Sequence, residues 1–140
     1  LISLGANVNN RTGWNSSPLH ASVVRKNLQI VKLLLKENAQ INARDRLGRS
    51  PLHWVAENGD LPIAEYLLLK GARVDMEDND GENVLHEAAK WGHLKIVKLF
   101  INYGVNVNAK SADGRSPVHL AIANGNMEVV SILKKYGARL

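Results

Sequence analysis

Four histidines recur at a constant spacing along this chain of 140 residues. Consecutive members are 33 residues apart, and they end the tetrapeptides SPLH, SPLH, NVLH and SPVH: His20, His53, His86 and His119. The residues around them repeat at the same period, as in GRSPLHWVAENGDLPIAEYLLLKGARVD from Gly48 and GENVLHEAAKWGHLKIVKLFINYGVNVN from Gly81. A period of about 20 to 50 residues is typical of proteins built from stacked structural units. The sequence therefore predicts an array of similar units that stack on their neighbours.

Each copy of the repeat predicts two short helices. Ser17, Ser50 and Ser116 each precede a proline, and a serine cap followed by proline at the first helical position favours a helix start. The third copy has Asn83 as the cap and Val84 in place of proline. Apolar residues at helical spacing follow in the second half of each copy. The predicted helices span residues 17–25, 27–37, 50–58, 60–70, 83–91, 93–103, 116–124 and 126–136.

Glycines mark the turns of the later copies, where a left-handed backbone conformation is expected. The first copy differs, because Asn15, Lys26 and Asn38 stand where the other copies have glycine. Asparagine tolerates a positive φ better than lysine does. We therefore expect the first copy to be the least regular and locally the least stable.

These motifs resemble the ankyrin repeat, which combines a 33-residue period with a TPLH-like helix start, a Gly-His-like turn and a GADVN-like exit. The resemblance covers all 140 residues. It implies an all-α ankyrin-repeat solenoid of stacked helix-turn-helix units with projecting β-hairpin-like loops. We expect one domain that begins with the tail of a truncated repeat and ends with a cap-like repeat carrying Lys134 and Lys135. Its parts are residues 1–11, then 12–44, 45–77, 78–110 and 111–140.

Composition excludes several other classes of protein. The chain has no cysteine, which rules out disulfides, thiolate nucleophiles and the usual structural zinc sites. It has no apolar run near the length of a membrane span and no signal-peptide pattern. We expect an intracellular protein, cytoplasmic or nuclear. The formal net charge of +5 slightly favours anionic partners.

The repeated polar residues favour structure over catalysis. Ser17 and His20 recur as a pair in three copies, which is typical of a helix cap and not of an active site. Equivalent histidines of stacked repeats are too far apart for one zinc ion, whose ligands lie about 2 Å from the metal. Asp78 and Asp80 resemble part of a calcium loop, but the required spacing does not continue, so a solvated turn is favoured. We predict no enzymatic activity, no cofactor and no metal site. We also assign a structural role in the loops to Asn9, Asn42 and Asn108.

The resemblance implies that a partner protein binds to a concave groove formed by the loop tips and the exposed side of the first helices. Positions that vary between the four copies, while the repeated frame stays constant, are the candidates for this role. They lie beside the loop glycine or at the end of the first helix. The predicted partner-binding residues are Trp14, Arg25, Arg46, Leu47, Arg49, Asn58, Asp80, Glu82, Lys90, Trp91, Asp113 and Arg115.

Trp91 is the most informative of these candidates. Its position holds polar residues in the other copies, so it is expected to face solvent: Arg25, Asn58 and Asn124. Partner contact and packing against a neighbouring loop or helix both remain open for its side chain. Trp54 contrasts with it, because the equivalent positions are mixed in character, and we expect it to be partly packed between helices.

The sequence favours a non-catalytic protein–protein interaction module, a monomeric domain of a larger chain. Exposed tryptophans interleaved with arginines are typical anchors of an interface. A partner segment with acidic and apolar character would complement them. Two alternatives remain open: recognition of a nucleotide or nucleic acid by the same basic and aromatic residues, and a structural spacer within a multidomain protein.

Overall fold

The computed structural model describes residues 7–140. Over this range the chain forms eight α-helices and no strand, which confirms the predicted all-α class. The helices are α1 (Pro18–Val24), α2 (Leu28–Lys36), α3 (Pro51–Asn58), α4 (Leu61–Leu69), α5 (Val84–Trp91), α6 (Leu94–Asn102), α7 (Pro117–Ala123) and α8 (Met127–Lys135). Every predicted helix is present, with its ends within one residue of the expectation. Residues 1–6 of the predicted tail lie outside the described range. No helix in that range is long and apolar enough to cross a membrane.

The histidines close the first turn of the first helices, as predicted. In α1, Ser17 Oγ accepts a bond from the backbone N–H of His20 at 3.3 Å, and His20 Nδ1 accepts one from the N–H of Ser17 at 3.1 Å. This leaves Nε2 as the protonated ring nitrogen, 2.9 Å from the carbonyl oxygen of Arg49. His86 repeats the arrangement, with Nε2 2.9 Å from the carbonyl oxygen of Arg115. Burial lowers the pKa of both histidines, so both are neutral links between successive repeats.

The chain divides into two compact units, residues 1–73 and 74–140. In the described part of the first unit, α1 packs against α3 and α2 against α4. In the second unit, α5 packs against α7 and α6 against α8. Each unit therefore contains two stacked helix pairs, because one pair alone cannot bury its apolar faces. The largest fully buried apolar side chains are Phe100, Leu19, Leu52, Ile63, Leu67, Leu85, Ile96 and Leu133.

The loops between helix pairs are tight turns. In the first unit the N–H of Asp45 bonds to the carbonyl of Arg49 at 3.0 Å, and the N–H of Arg46 bonds to the carbonyl of Trp14 at 2.9 Å. In the second unit the N–H of Ala112 bonds to the carbonyl of Asp80 at 2.9 Å. The expected hairpin-like loops thus occur as hydrogen-bonded turns, and successive tips in one unit are joined through their backbones.

The first copy adopts the strained conformations that its sequence predicts. Asn15, Lys26 and Asn38 have φ values of 56°, 56° and 66°, in the left-handed region. Gly59 and Gly92, which are equivalent to Lys26, have φ values of 81° and 76°. The turn between the two helices therefore has the same backbone conformation in these copies, and Lys26 adopts it at a steric cost that glycine avoids.

The loop asparagines have the structural role predicted for them. The side-chain oxygen of Asn42 accepts a bond from the N–H of Arg73 at 3.0 Å, and that of Asn108 accepts one from the N–H of Arg139 at 2.9 Å. Asn9 does the same with Gln40 at 2.9 Å. Each bond satisfies a backbone amide about 31 residues later, so these asparagines connect one exit loop to the next.

Candidate functional site

A groove of about 480 Å³ lies in the first unit, between the loop tips and the first helices. Four apolar side chains line it: Trp14, Val24, Leu47 and Trp54. The side chains of Trp14, Val24 and Leu47 are 67%, 56% and 47% exposed. Two of these residues, Trp14 and Leu47, are predicted partner-binding residues, and the structure brings them together across two successive loop tips. A contiguous exposed apolar surface of this kind typically marks an interaction site.

Asp45 organises one wall of this groove. Its Oδ1 atom accepts bonds from the N–H groups of Leu47 and Arg49, both at 3.0 Å. Its Oδ2 atom accepts a bond from the indole N–H of Trp54 at 2.8 Å. One carboxylate therefore fixes the loop that presents Leu47 and the orientation of Trp54. This explains why Trp54 is half-buried, as predicted, although it still lines the groove.

The surroundings of the groove are cationic. The guanidinium of Arg46 lies 5.6 Å from the centroid of the Trp14 ring, which is within cation–π distance. Arg46 and Arg25 are both exposed, and Arg25 follows the last residue of α1. Residues 1–73 contain ten lysines and arginines but only five acidic residues, so the first unit carries the whole net charge of +5. The one acidic residue in the lining, Asp45, is engaged in the three bonds described above.

Arg49 is the clearest departure from the sequence prediction, because it is buried, with 7% of its surface exposed. One guanidinium nitrogen lies 3.0 Å from a carboxylate oxygen of Glu57, and another donates to the carbonyl of His53 at 3.1 Å. The guanidinium also stacks over the Trp54 ring, with its carbon 4.0 Å from the centroid. Arg49 thus packs against Trp54, and little of its side chain is accessible to a partner.

Asn58, another predicted partner-binding residue, also has a structural role. Its side-chain amide donates to the carbonyl of Val23 at 3.0 Å, which caps the end of α1. In the second unit, Asn126 makes the corresponding contribution from a different position, and donates to the carbonyls of Ala89 and Lys90, both at 2.9 Å. The carbonyl groups at a helix end need such partners. Asn58 is half-buried, and its polar side chain is explained by this hydrogen bond to the end of α1 without a partner protein.

Trp91 is the last residue of α5 and is 55% exposed, which confirms that it faces solvent. Gly92 follows it in the left-handed conformation and turns the chain toward α6. Its role in partner contact stays a prediction. The exposed side chains of Asp80, Asp113 and Arg115 also belong to the second unit. The hydroxyl of Ser111 donates to Asp113 and lowers the pKa of that carboxyl, so Asp113 is ionised.

Glu82 and Lys90 take part in a local charge cluster. The Lys90 ammonium lies 3.5 Å from Glu82 and 3.8 Å from Glu87, which is buried in α5. Asp78 completes the cluster, and oxygens of the three carboxylates lie within 4.8 Å of one another. Asp78 Oδ1 accepts bonds from the N–H groups of Asp80 and Glu82, at 2.9 and 3.0 Å. The calcium-like sequence around Asp78 is thus a turn with an exposed tip at Asn79 and Asp80, as expected, and Asp78 at its base is half-buried.

The predicted partner-binding residues omit two of the apolar residues that line the groove, Val24 and Trp54. The equivalents of Trp54 are too mixed to show which way its side chain points: Ala21, Glu87 and Leu120. The signal that could have found it is Asp45, an acceptor nine residues earlier that an indole N–H can reach. Arg49 stacks on the same ring and Glu57 pairs with Arg49, and the sequence predicted neither contact.

Comparison with known families identifies one match. The family described as ankyrin repeats (3 copies) matches residues 1–78 and again residues 55–140. The two matches overlap and together cover the whole chain. A search of curated proteins gave no match.

Proposed function

Because the chain belongs to the ankyrin-repeat family, whose members are generally protein–protein interaction modules, we propose that it is a non-catalytic module that binds a segment of another protein. The observation that carries the proposal is the groove of the first unit, where exposed Trp14 and Leu47 face a shared cavity of about 480 Å³. Its apolar walls cost free energy while they are in contact with water, and a partner side chain that covers them recovers it.

The groove favours a partner segment with one large apolar side chain and nearby carboxylates. The volume lies within the range of about 300 to 1,000 Å³ that is usual for specific pockets. Tryptophan and arginine are the residues most often found at interface hot spots. Arg25 and Arg46 are exposed and place positive charge beside the groove, which favours carboxylates on the partner, whereas Asp45 is already engaged. The cationic first unit would also accelerate encounter with an acidic segment.

The surface around Trp91 is a further proposed contact of the same function. Residues 74–140 contain eight basic and eight acidic residues, so the second unit has no net charge. Contact there would depend on the exposed indole more than on long-range attraction. Asp80, Asp113 and Arg115 supply polar groups of both signs.

A displayed library of random peptides, selected on the immobilised protein, tests the proposal directly. We expect the selected peptides to share an apolar residue flanked by acidic residues. Trp14→Ala and Leu47→Ala should each weaken binding by about tenfold, the scale of a hot spot. Leu69→Ala is the matched control, because Leu69 is a 73% exposed side chain on α4, away from the groove. Equal binding by the parent and by both groove variants would contradict the proposal.

Two further measurements separate the remaining possibilities. Trp91→Ala should reduce the affinity for a natural partner by about 1 kcal/mol or more with little change in thermal stability. A large loss of stability with unaltered binding would instead assign Trp91 to packing. Binding of a generic oligonucleotide that weakens steeply with salt would favour nucleic-acid recognition over protein binding.

A further inference from the structure

A second groove of about 660 Å³ lies in the first unit between the second helices, α2 and α4. Half-buried Ile30, Leu33 and Tyr66 contribute its apolar surface. Three exposed lysines surround them: Lys32, Lys36 and Lys70. The groove lies on the second helices, whereas the Trp14 groove is lined by the loop tips and the first helices. The two surfaces use no common residue.

The charges in this groove are unbalanced. The ammonium groups of Lys32 and Lys70 lie 5.4 and 5.6 Å from the centroid of the same Tyr66 ring. None of the lining residues is acidic. Within residues 7–140, no carboxylate forms an ion pair with Lys32, Lys36 or Lys70, although Glu37 and Glu65 are on or beside the same helices. Three lysines and no acidic residue in the lining leave the groove positively charged, and a bound anionic group would balance that charge.

Tyr66 is not required by the repeat. Its equivalents are aliphatic in the other three copies: Leu33, Leu99 and Ile132. An aliphatic residue therefore satisfies the packing at this position, and the aromatic ring adds an electron-rich face that holds lysine ammoniums. Tyr66, like the variable loop residues, therefore differs between copies at a position where the repeat itself does not require it.

We propose that the α2–α4 groove is a second docking site, and that it binds an acidic segment of a protein partner. Carboxylates of the segment pair with Lys32 and Lys70, while one of its apolar side chains covers Ile30, Leu33 and the edge of Tyr66. The apolar surface favours a peptide over a nucleic-acid backbone, which offers only charge there. It also favours a peptide over a lipid surface, because Ile30 and Leu33 are half-buried and do not protrude to insert. A module with both grooves can hold two acidic segments at once.

The test uses a parent in which the first groove is disabled by Trp14→Ala and Leu47→Ala. Peptides are selected from a displayed random library on this variant, and the recovered peptides are measured by fluorescence anisotropy. We expect peptides rich in glutamate or aspartate with one large apolar residue. Their amide-shift perturbations in NMR titrations should map to α2 and α4.

Charge-neutralising variants then decide the assignment. Lys32→Gln with Lys70→Gln should weaken binding by about tenfold or more, since both charge-assisted contacts are lost. Tyr66→Leu, which introduces the residue of two other copies, should fold normally and also weaken binding. The matched control is Lys95→Gln with Lys98→Gln on α6, where Lys98 is equivalent to Lys32. This control makes the same change in net charge and should leave binding unchanged.

Several outcomes overturn the proposal. Recovery of no peptide, of peptides without carboxylates, or of peptides that bind the lysine variants as tightly as the parent would each do so. Binding of an oligonucleotide or of phosphatidylserine vesicles that requires Lys32 and Lys70, without binding of acidic peptides, would assign the groove to a different partner. Because the first groove is disabled throughout, these outcomes do not depend on its function.

Discussion

The turn between α5 and α6 gives a sharp prediction, because two effects of one substitution can be separated there. Gly92 has a φ of 76°, and a Cβ atom added to it would lie 2.8 Å from Oδ1 of Asn126. Asn126 donates to the carbonyls of Ala89 and Lys90 at the end of α5. Alanine at position 92 therefore imposes backbone strain and also displaces the side chain that caps the helix.

The magnitude follows from these two terms. An alanine in the left-handed region costs about 1 to 2 kcal/mol. Each of the two displaced hydrogen bonds contributes about 1 kcal/mol. Gly92→Ala should therefore lower the free energy of unfolding by about 3 to 4 kcal/mol. Gly104→Ala is the matched control, since Gly104 has a similar φ of 83° and no atom within 4 Å of the added Cβ. It should cost only the strain, about 1 to 2 kcal/mol.

Urea unfolding of four proteins measures the two terms separately: the parent, Gly92→Ala, Asn126→Ala and the double variant. In the Asn126→Ala background the cap is already lost, so Gly92→Ala should cost no more than Gly104→Ala. A coupling free energy of about 2 kcal/mol between positions 92 and 126 is expected, because both substitutions remove the same two hydrogen bonds. If Gly92→Ala costs the same in both backgrounds, Asn126 does not cap α5 in the way described.

Three further predictions concern the frame. Lys26→Gly should raise the stability by about 0.5 to 1 kcal/mol, because glycine adopts its φ of 56° without the steric penalty; an unchanged or lower urea midpoint would contradict this. Asp45→Ala removes three hydrogen bonds, so it should lower the free energy of unfolding by about 2 to 4 kcal/mol and shift the tryptophan fluorescence. Asp80→Ala is the control and should change the free energy of unfolding by less than about 0.5 kcal/mol. Burial lowers the folded-state pKa of His20 and His86, so below about pH 6.5 the unfolded chain takes up these protons before the folded chain does, and stability should fall as the pH drops. Replacing both histidines with Asn should reduce this dependence of the free energy of unfolding on pH.

The repeat explains why the fold could be predicted from the sequence so completely. Four internal copies act as an alignment, and a residue that fails the pattern, such as Lys26, still reveals its backbone conformation through the glycines at the equivalent positions. The surface was less predictable, because burial depends on contacts that differ between copies. Arg49 and Arg115 are equivalent in sequence, yet Arg49 is buried against Trp54 and Glu57 while Arg115 is exposed.

One loop position shows how the frame and the variable surface are coupled. Asp45, Asp78 and Ser111 are equivalent, and each accepts a bond from the N–H four residues later, at 3.0, 3.0 and 3.2 Å. The remaining oxygen of Asp45 holds Trp54 in the groove, whereas the carboxylate of Asp78 lies beside Glu87, the equivalent of Trp54. The same turn therefore supports an aromatic wall in one repeat and a charge cluster in another.

This coupling predicts which changes can alter binding without loss of the fold. Asp45 belongs both to the turn and to the groove, so its replacement should reduce stability and partner affinity together. Trp14 and Leu47 present exposed side chains to the groove, and their hydrogen bonds to the neighbouring loop residues are made by backbone groups. Substitutions of their side chains should therefore change affinity while the free energy of unfolding stays within about 0.5 kcal/mol of the parent. Parallel measurement of both quantities for Asp45→Ala and Leu47→Ala would show whether stability and recognition separate in this way.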